Sequence, residues 1–187
     1  GRPNGANRVF GIGRNAAGVY QSSLSAATVS WVVSNTLPTV RLNEIIASRS
    51  GGLRDQVELY NEGGAPVNLA GLRLTDNLDQ PNKFVFGTTS IQAGTYLVLD
   101  SSQLGFSLDA QGEGVYLLDS SSGGGGMLDS CRFGLQITDL SLGRVGQVGE
   151  WQLTTPTFGA TNTVQPLGAL SDVRINEWLA AGISPLD

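Results

Sequence analysis

Apolar residues fall along this chain in short runs with a two-residue period, and almost no window keeps a helical period. The runs are rich in Val, Leu, Ile, Phe and Tyr and are cut by Gly, Asn, Asp or Pro, as strands joined by tight turns would be. This spacing predicts strands over Arg8–Ile12, Val29–Val33, Val40–Ala47, Gln56–Asn61, Arg73–Asp76, Lys83–Phe86, Tyr96–Asp100, Gly114–Asp119 and Gly126–Phe133. Between them, Glu62-Gly63-Gly64, Asp76 to Pro81, Gln92-Ala93-Gly94 and Ser120 to Gly126 supply the positive φ and the local side-chain caps that chain reversals need. The Ser-Gly run at 120–126 is a hairpin loop and not a linker, because a strand resumes at once beyond it. The expected fold is all-β, an antiparallel β sandwich.

The strongest internal signal is a repeat. Val40-Arg41-Leu42-Asn43-Glu44-Ile45-Ile46-Ala47 returns as Val173-Arg174-Ile175-Asn176-Glu177-Trp178-Leu179-Ala180, identical at five of eight positions and apolar at the other three. One complete unit therefore spans 38–163. Residues 164–172, with Pro and Gly and no periodicity, form a linker, and 173–187 contribute the first strand of a second unit. Residues 1–37 hold two strands and the turn Asn15-Ala16-Ala17-Gly18. They are too few to fold alone, so they are expected to dock on the main unit or to pair with further sequence. Their pattern resembles the closing strands of bacterial immunoglobulin-like or fibronectin-like modules.

Composition narrows the chemistry. A unit of roughly 125 residues can bury about two-thirds of its unfolded surface, so its core needs neither disulfides nor metals. The 187 residues include 1 Cys and no His. That removes an internal disulfide, a Cys/His zinc cluster and every His-dependent triad. Lys and Arg number 11 against 16 Asp and Glu, a net charge of −5, with Lys83 the only Lys. No two basic residues are adjacent, so the clustered charge that phosphate contacts need is missing. Nucleic acid is therefore not an expected partner, and neither is direct insertion into a membrane, since no apolar stretch approaches the ~20 residues of a span. The chain opens at Gly1 without Met or signal peptide and reads as an excised piece whose targeting signals lie elsewhere.

Laid end to end, the unit resembles a bacterial lamin tail domain. The likeness starts at Leu42-Asn43-Glu44-Ile45, Asp55 and Val57-Glu58-Leu59-Tyr60-Asn61. It continues through Leu69-Ala70-Gly71, Leu74-Thr75-Asp76, Phe84-Val85-Phe86 and Ile91 to Leu99, then Leu108 to Leu118 with Gly112 and Glu113. Asp129, Phe133-Gly134, Gln136, Asp139, Ser141 and Gly143-Arg144 follow, and Trp151, Thr155-Pro156-Thr157, Gly159 and Asn162 resemble the closing segment. Gln56, Leu72 and Phe84 stand where the family often has Trp, and Gly87 where Pro is frequent, departures that touch packing and turn stiffness. The resemblance implies an immunoglobulin-like β sandwich without catalytic residues or cofactor. In nuclear lamins the domain is an interaction module. Bacterial copies sit, often in tandem, in secreted or surface proteins beside nucleases, phosphatases, kinase-like domains or other β modules. The expected role is a non-enzymatic interaction or spacer module of a large extracellular or cell-surface protein, its partners being neighbouring β modules or a surface protein or glycan. The alternative is a carbohydrate- or envelope-binding accessory domain that targets an attached catalytic domain.

Several side chains invite a chemical reading beside a structural one. Glu44 and Glu177 open the two repeats inside apolar strands, either aimed at a ligand or bonded, with Asn43, to backbone or to Arg144 or Arg41, since a buried charge must be paired. Asp76, Asp79 and Asn82 crowd oxygens into one loop, which suits turn chemistry and, as the second reading, calcium. Asp55 with Glu58, or Asp139 with Glu150, would be the carboxylate pairs of a glycoside hydrolase, but nothing fixes their separation. Ser120, Ser121 and Ser122 lack a base to activate them. Cys131, between Ser130 and Arg132 on a strand, reads as a small buried residue, a reactive thiol needing a more basic setting. Trp31, Trp151 and Trp178 read as core or inter-module contacts ahead of a sugar-stacking platform.

Overall fold

Strands whose apolar side chains alternate must lay those faces together to leave water, and two antiparallel sheets do so in this chain. The computed structural model describes residues 5–22, 25–33, 37–146, 149–169, 171 and 173–175. Along the described residues run β1 (Gly5–Gly11), β2 (Ala27–Val33), β3 (Val40–Ile46), β4 (Gln56–Asn61), β5 (Val67–Asn68), β6 (Arg73–Thr75) and β7 (Phe84–Val85). They are followed by β8 (Ser90–Ile91), β9 (Tyr96–Asp100), the one-turn helix α1 (Ser101–Leu104), β10 (Glu113–Leu118), β11 (Met127–Phe133), β12 (Ser141–Val145), β13 (Glu150–Thr155) and β14 (Thr163–Val164). The larger sheet has the order β14-β13-β12-β3-β4-β9 and the smaller β11-β10-β6-β7, while β5 pairs with β8 at the margin. The chain is thus an antiparallel, immunoglobulin-like β sandwich.

The core lies between the sheets. Leu42, Ile45, Val57 and Leu59 from the larger sheet meet Leu74, Val115, Leu117 and Cys131 from the smaller, all buried. Burying each such aliphatic side chain is worth about 1.5–3 kcal/mol. The turn after β9 is set locally: the Asp100 carboxylate accepts the Ser102 and Gln103 amides, the Gln103 side chain accepts the Asp100 amide, and Gly105 ends the helix at φ 76°. Among the described residues no helix is long and apolar enough to cross a membrane.

Two strand pairs need a correction to the sequence reading. β12 lies beside β3 in the larger sheet and β13 lies outside β12, although the sequence pattern marks neither as a strand. Gly143 interrupts the first and polar residues dominate the second, so alternation is masked in both. β14 pairs Val164 with Thr154, which extends the sheet into the stretch read as linker. Of the second repeat, Val173 and Ile175 are 75% and 84% exposed, outside any strand. The rest of that repeat, Glu177 and Trp178 included, lies outside the described residues.

Among the described residues the first two strands form a sheet of their own, the arm. β1 and β2 form a two-stranded ribbon in register from Gly5 with Val33 to Gly11 with Ala27. Beyond it, a smaller turn is closed by the Arg14–Tyr20 bridge, with the Arg14 Nε–H donated to the Gly18 carbonyl at 2.8 Å. Val9, Phe10, Ile12, Val19, Tyr20 and Val29 are all about half exposed or more.

Candidate functional site

Glu44 and Glu58 face one another across the β3–β4 ladder, and both are fully buried. Glu58 lies between the core residues Val57 and Leu59, so alternation turns it to the outer face of the larger sheet. Glu44 joins it there because the register slips between Leu42 and Glu44, making Asn43 the extra residue of a β-bulge. A strap formed by residues 156–162 crosses this face and supplies the donors. Glu44 Oε1 accepts the Ser141 hydroxyl at 2.6 Å and the Thr157 amide at 2.9 Å. Glu58 accepts the Asn43 side-chain amide at 2.7 Å on Oε1 and the Gly159 amide on Oε2. Asn162 completes the strap by donating to the carbonyls of Asn43 and Arg144, each at 2.9 Å. Only glycine fits beneath it at 143, where a Cβ would stand 2.7 Å from the Asn162 side chain.

Burial sets the protonation of the pair. Desolvation raises the Glu44 carboxyl above its ordinary value, against the opposing bonds from Ser141 and Thr157. The same burial pushes Glu58 up to about 7, with the Gly159 and Asn43 bonds opposing and the neighbouring Glu44 charge adding to the rise. The pair therefore holds a proton close to neutrality. Its oxygens are occupied by strap amides and by Ser141 and Asn43, so titration acts on the seating of the strap.

A second polar node holds β3 from the other side. Above the bulge, the β3–β12 pairing covers only Leu142 with Ile45 and Gly143 with Glu44. The backbone of Leu42 instead finds side chains: its amide donates to Asp129 Oδ2 at 2.9 Å and its carbonyl accepts Arg144 Nε–H at 2.9 Å. Arg144 and Asp129 close the loop with a 2.6 Å ion pair between the sheets, both side chains largely buried. The guanidinium also donates to the Gly149 carbonyl at 2.8 Å and lies 4.7 Å above the Trp151 ring. Trp151 is thus covered by Arg144 and packed against the core.

The expected Arg partners of Glu44 are not the ones found. Arg144 is committed to Asp129, and Arg41 to Glu62 at 2.9 Å. A neutral hydroxyl and strap amides satisfy Glu44 instead, at sequence separations no periodicity could reveal. Of the imagined acid pairs, Asp55 accepts the Leu108 amide at 2.9 Å while Glu58 joins Glu44. Asp139 accepts the Ser50 amide at 2.9 Å, bonding from the Ser50 side chain and then its amide holds the carboxyl below the usual range, and Glu150 is exposed at the start of β13. In the 76–82 loop, Asp76 is bound by Lys83, the Asp79 amide donates to the Asn77 side chain, and Asn82 accepts from Arg73. No group of three or more Cys, Asp or Glu among the described residues is placed to hold a metal ion. Ser120 and Ser122 share a hydrogen bond at 3.1 Å within their turn. Cys131 is buried and its thiol is pushed up to about 12 by desolvation, far from a reactive thiolate. Trp31 lies on β2, half buried.

Sequence reasoning assigned no role to Ser141, Thr157, Gly159, Asn162 or Asp129. The one signal that touches them is the resemblance drawn from the sequence, which takes in these positions without making their partners legible, and four of the five lie beyond the residues the family profile matches.

The comparisons accord with this architecture. The sequence profile of the lamin tail domain matches residues 34–134, more than half of the 187 residues. Comparison with curated proteins and with solved structures finds no match. Lamin tail domains are non-catalytic, immunoglobulin-like interaction modules, and this chain belongs to the lamin tail domain family.

Proposed function

We propose that the chain is a non-enzymatic spacer and interaction module of a larger, multi-domain secreted or cell-surface bacterial protein, in which such units follow one another in tandem. One observation carries this reading: the buried polar groups of the sandwich are spent on holding backbone. Glu44, Glu58, Asp129 and Arg144 bind the strap and β3, and the sequence pair Asn43-Glu44 recurs at Asn176-Glu177. Catalysis needs the opposite arrangement, with perturbed groups facing an open cleft. The glycan-binding alternative has less support. Tyr60 and Tyr96 lie against each other at 4.8 Å with ring planes 32° apart, and Arg41 stands over Tyr60 at 5.8 Å, so these rings are already engaged within the protein.

Thermal unfolding of the whole chain tests the reading, against calcium, soluble polysaccharides and a panel of phosphoester and glycoside substrates. A ligand at a hundred times its Kd adds about 2.7 kcal/mol. The expected outcome is an unmoved midpoint and no turnover. A polysaccharide-dependent shift would favour the accessory-domain alternative, and hydrolysis of any substrate would overturn both.

A further inference from the structure

Among the described residues, Glu44 and Glu58 are the only acids without exposure, and they face each other across one ladder. Two charges so placed would repel each other and lack water, so the closed fold keeps a proton on the pair and full ionisation calls for hydration. No cation relieves them. On the strands around the pair, Arg41 is bound to Glu62 and Arg144 to Asp129, while Tyr60 and Tyr96 lie against each other. Asp100 caps α1, Glu150 is exposed, and the strap from Pro156 to Asn162 has no titratable side chain.

The strap is the layer between the pair and water. Pro156, Gly159, Ala160 and Thr161 are exposed, while the two carboxyls beneath are at 0%. Its backbone donors on this face, the Thr157 and Gly159 amides, both end on the groups that titrate. Asn162 adds two bonds to carbonyls, and the chain then runs straight into β14. That strand holds the sheet through two ladder pairs, Thr154 with Val164 and Thr155 with Thr163, and through the Gln165 amide on the Leu153 carbonyl.

We propose that the carboxyl pair is a latch: while one of the two stays protonated the strap is closed on the sandwich, and when both ionise the strap lifts to hydrate them and takes β14 off the edge of β13. The Ser141 and Asn43 side chains stay on the sheet and keep their bonds, and water replaces the Thr157 and Gly159 amides. Hydration from the opposite face would strip Leu42, Val57 and Leu59 from the core, a far larger loss. The closed state binds more protons than the open one, so opening grows as pH rises out of the ordinary carboxylate range and levels off above about 7. The latch goes beyond the spacer reading and stands without it.

Amide exchange of the whole chain, resolved by residue at pH 5 and pH 8.5 and expressed as protection over an open chain, reads the latch. Leu42 serves as the internal reference, since its amide is held by Asp129 and not by the pair. At pH 5, Thr157 and Gly159 match Leu42; at pH 8.5 their protection relative to Leu42 falls at least about tenfold, and that of Gln165 falls with them. Glu58→Gln, which cannot ionise, holds the ratio at its acid value. Carbon-13 shifts of the wild-type carboxyls, which need no variant, show one of the two protonated at pH 5. A ratio that does not move with pH overturns the proposal, as does the same fall in Glu58→Gln. Both carboxyls already charged at pH 5 overturn it as well, whether or not the variant folds.

Discussion

β2 and β3 are both seven-residue strands with apolar side chains in alternation, and they meet opposite fates. In β3 every residue except Arg41 is buried, whereas Ala27 to Ser30 of β2 are all exposed. Alternation alone does not separate them. β3 is held on its outer face by the strap through Glu44 and Asn43, and on its inner side by Asp129 and Arg144. β2 has only β1. The lesson is that alternation makes a strand, while long-range polar anchors decide which strand becomes the centre of the domain.

Breaking the inner anchor should have the largest effect. Arg144→Ala leaves Asp129 buried without its cation and the Leu42 carbonyl without its donor, a loss of about 3–5 kcal/mol in urea unfolding. Asp129→Asn, which keeps an acceptor for the Leu42 amide, should lose less. Next is the strap: Gly143→Ala drives a methyl group into Asn162 and should cost about 1–3 kcal/mol by the same measurement.

The outer anchor predicts a pH dependence. Burial raises the Glu58 carboxyl in the folded chain to about 7, above its ordinary value, so its stabilising contribution is complete below the unfolded value and is lost as pH rises through about 7. Stability should therefore fall between pH 5 and pH 8.5, by on the order of 1–2 kcal/mol after allowance for solvent screening. Glu58→Gln, which cannot ionise, should flatten that slope; a slope unchanged by the substitution would place the titration elsewhere. Asp139 is shifted the other way by Ser50, so its small contribution is lost only in acid. The smallest effect belongs to the arm, where Val29→Ser should move sandwich stability by less than about 0.5 kcal/mol.

These differences also mark what the sequence could and could not disclose. Gln56–Asn61 and Tyr96–Asp100 are legible residue by residue, because one side of each faces the core and turn residues bound both ends. β5, β8 and β14 are too short to show a period. The buried site was half visible. Glu44 stood out as an acid in an apolar strand, but its donors Ser141 and Thr157 lie 97 and 113 residues away, and only the folded chain brings them together. Glu58 escaped notice as its partner because ladder register, and no local pattern, sets them opposite each other.

The central claim is that anchoring on both faces makes β3 and its strap one cooperative unit from which the arm is excluded. Native-state hydrogen exchange at pH 5 tests it most directly. The account predicts that the amides of Leu42, Thr157 and Gly159 exchange only with global unfolding, while those along the outer edges of β1 and β2 exchange near the rate of an open chain. Thr157 and Gly159 exchanging as fast as the arm would contradict it.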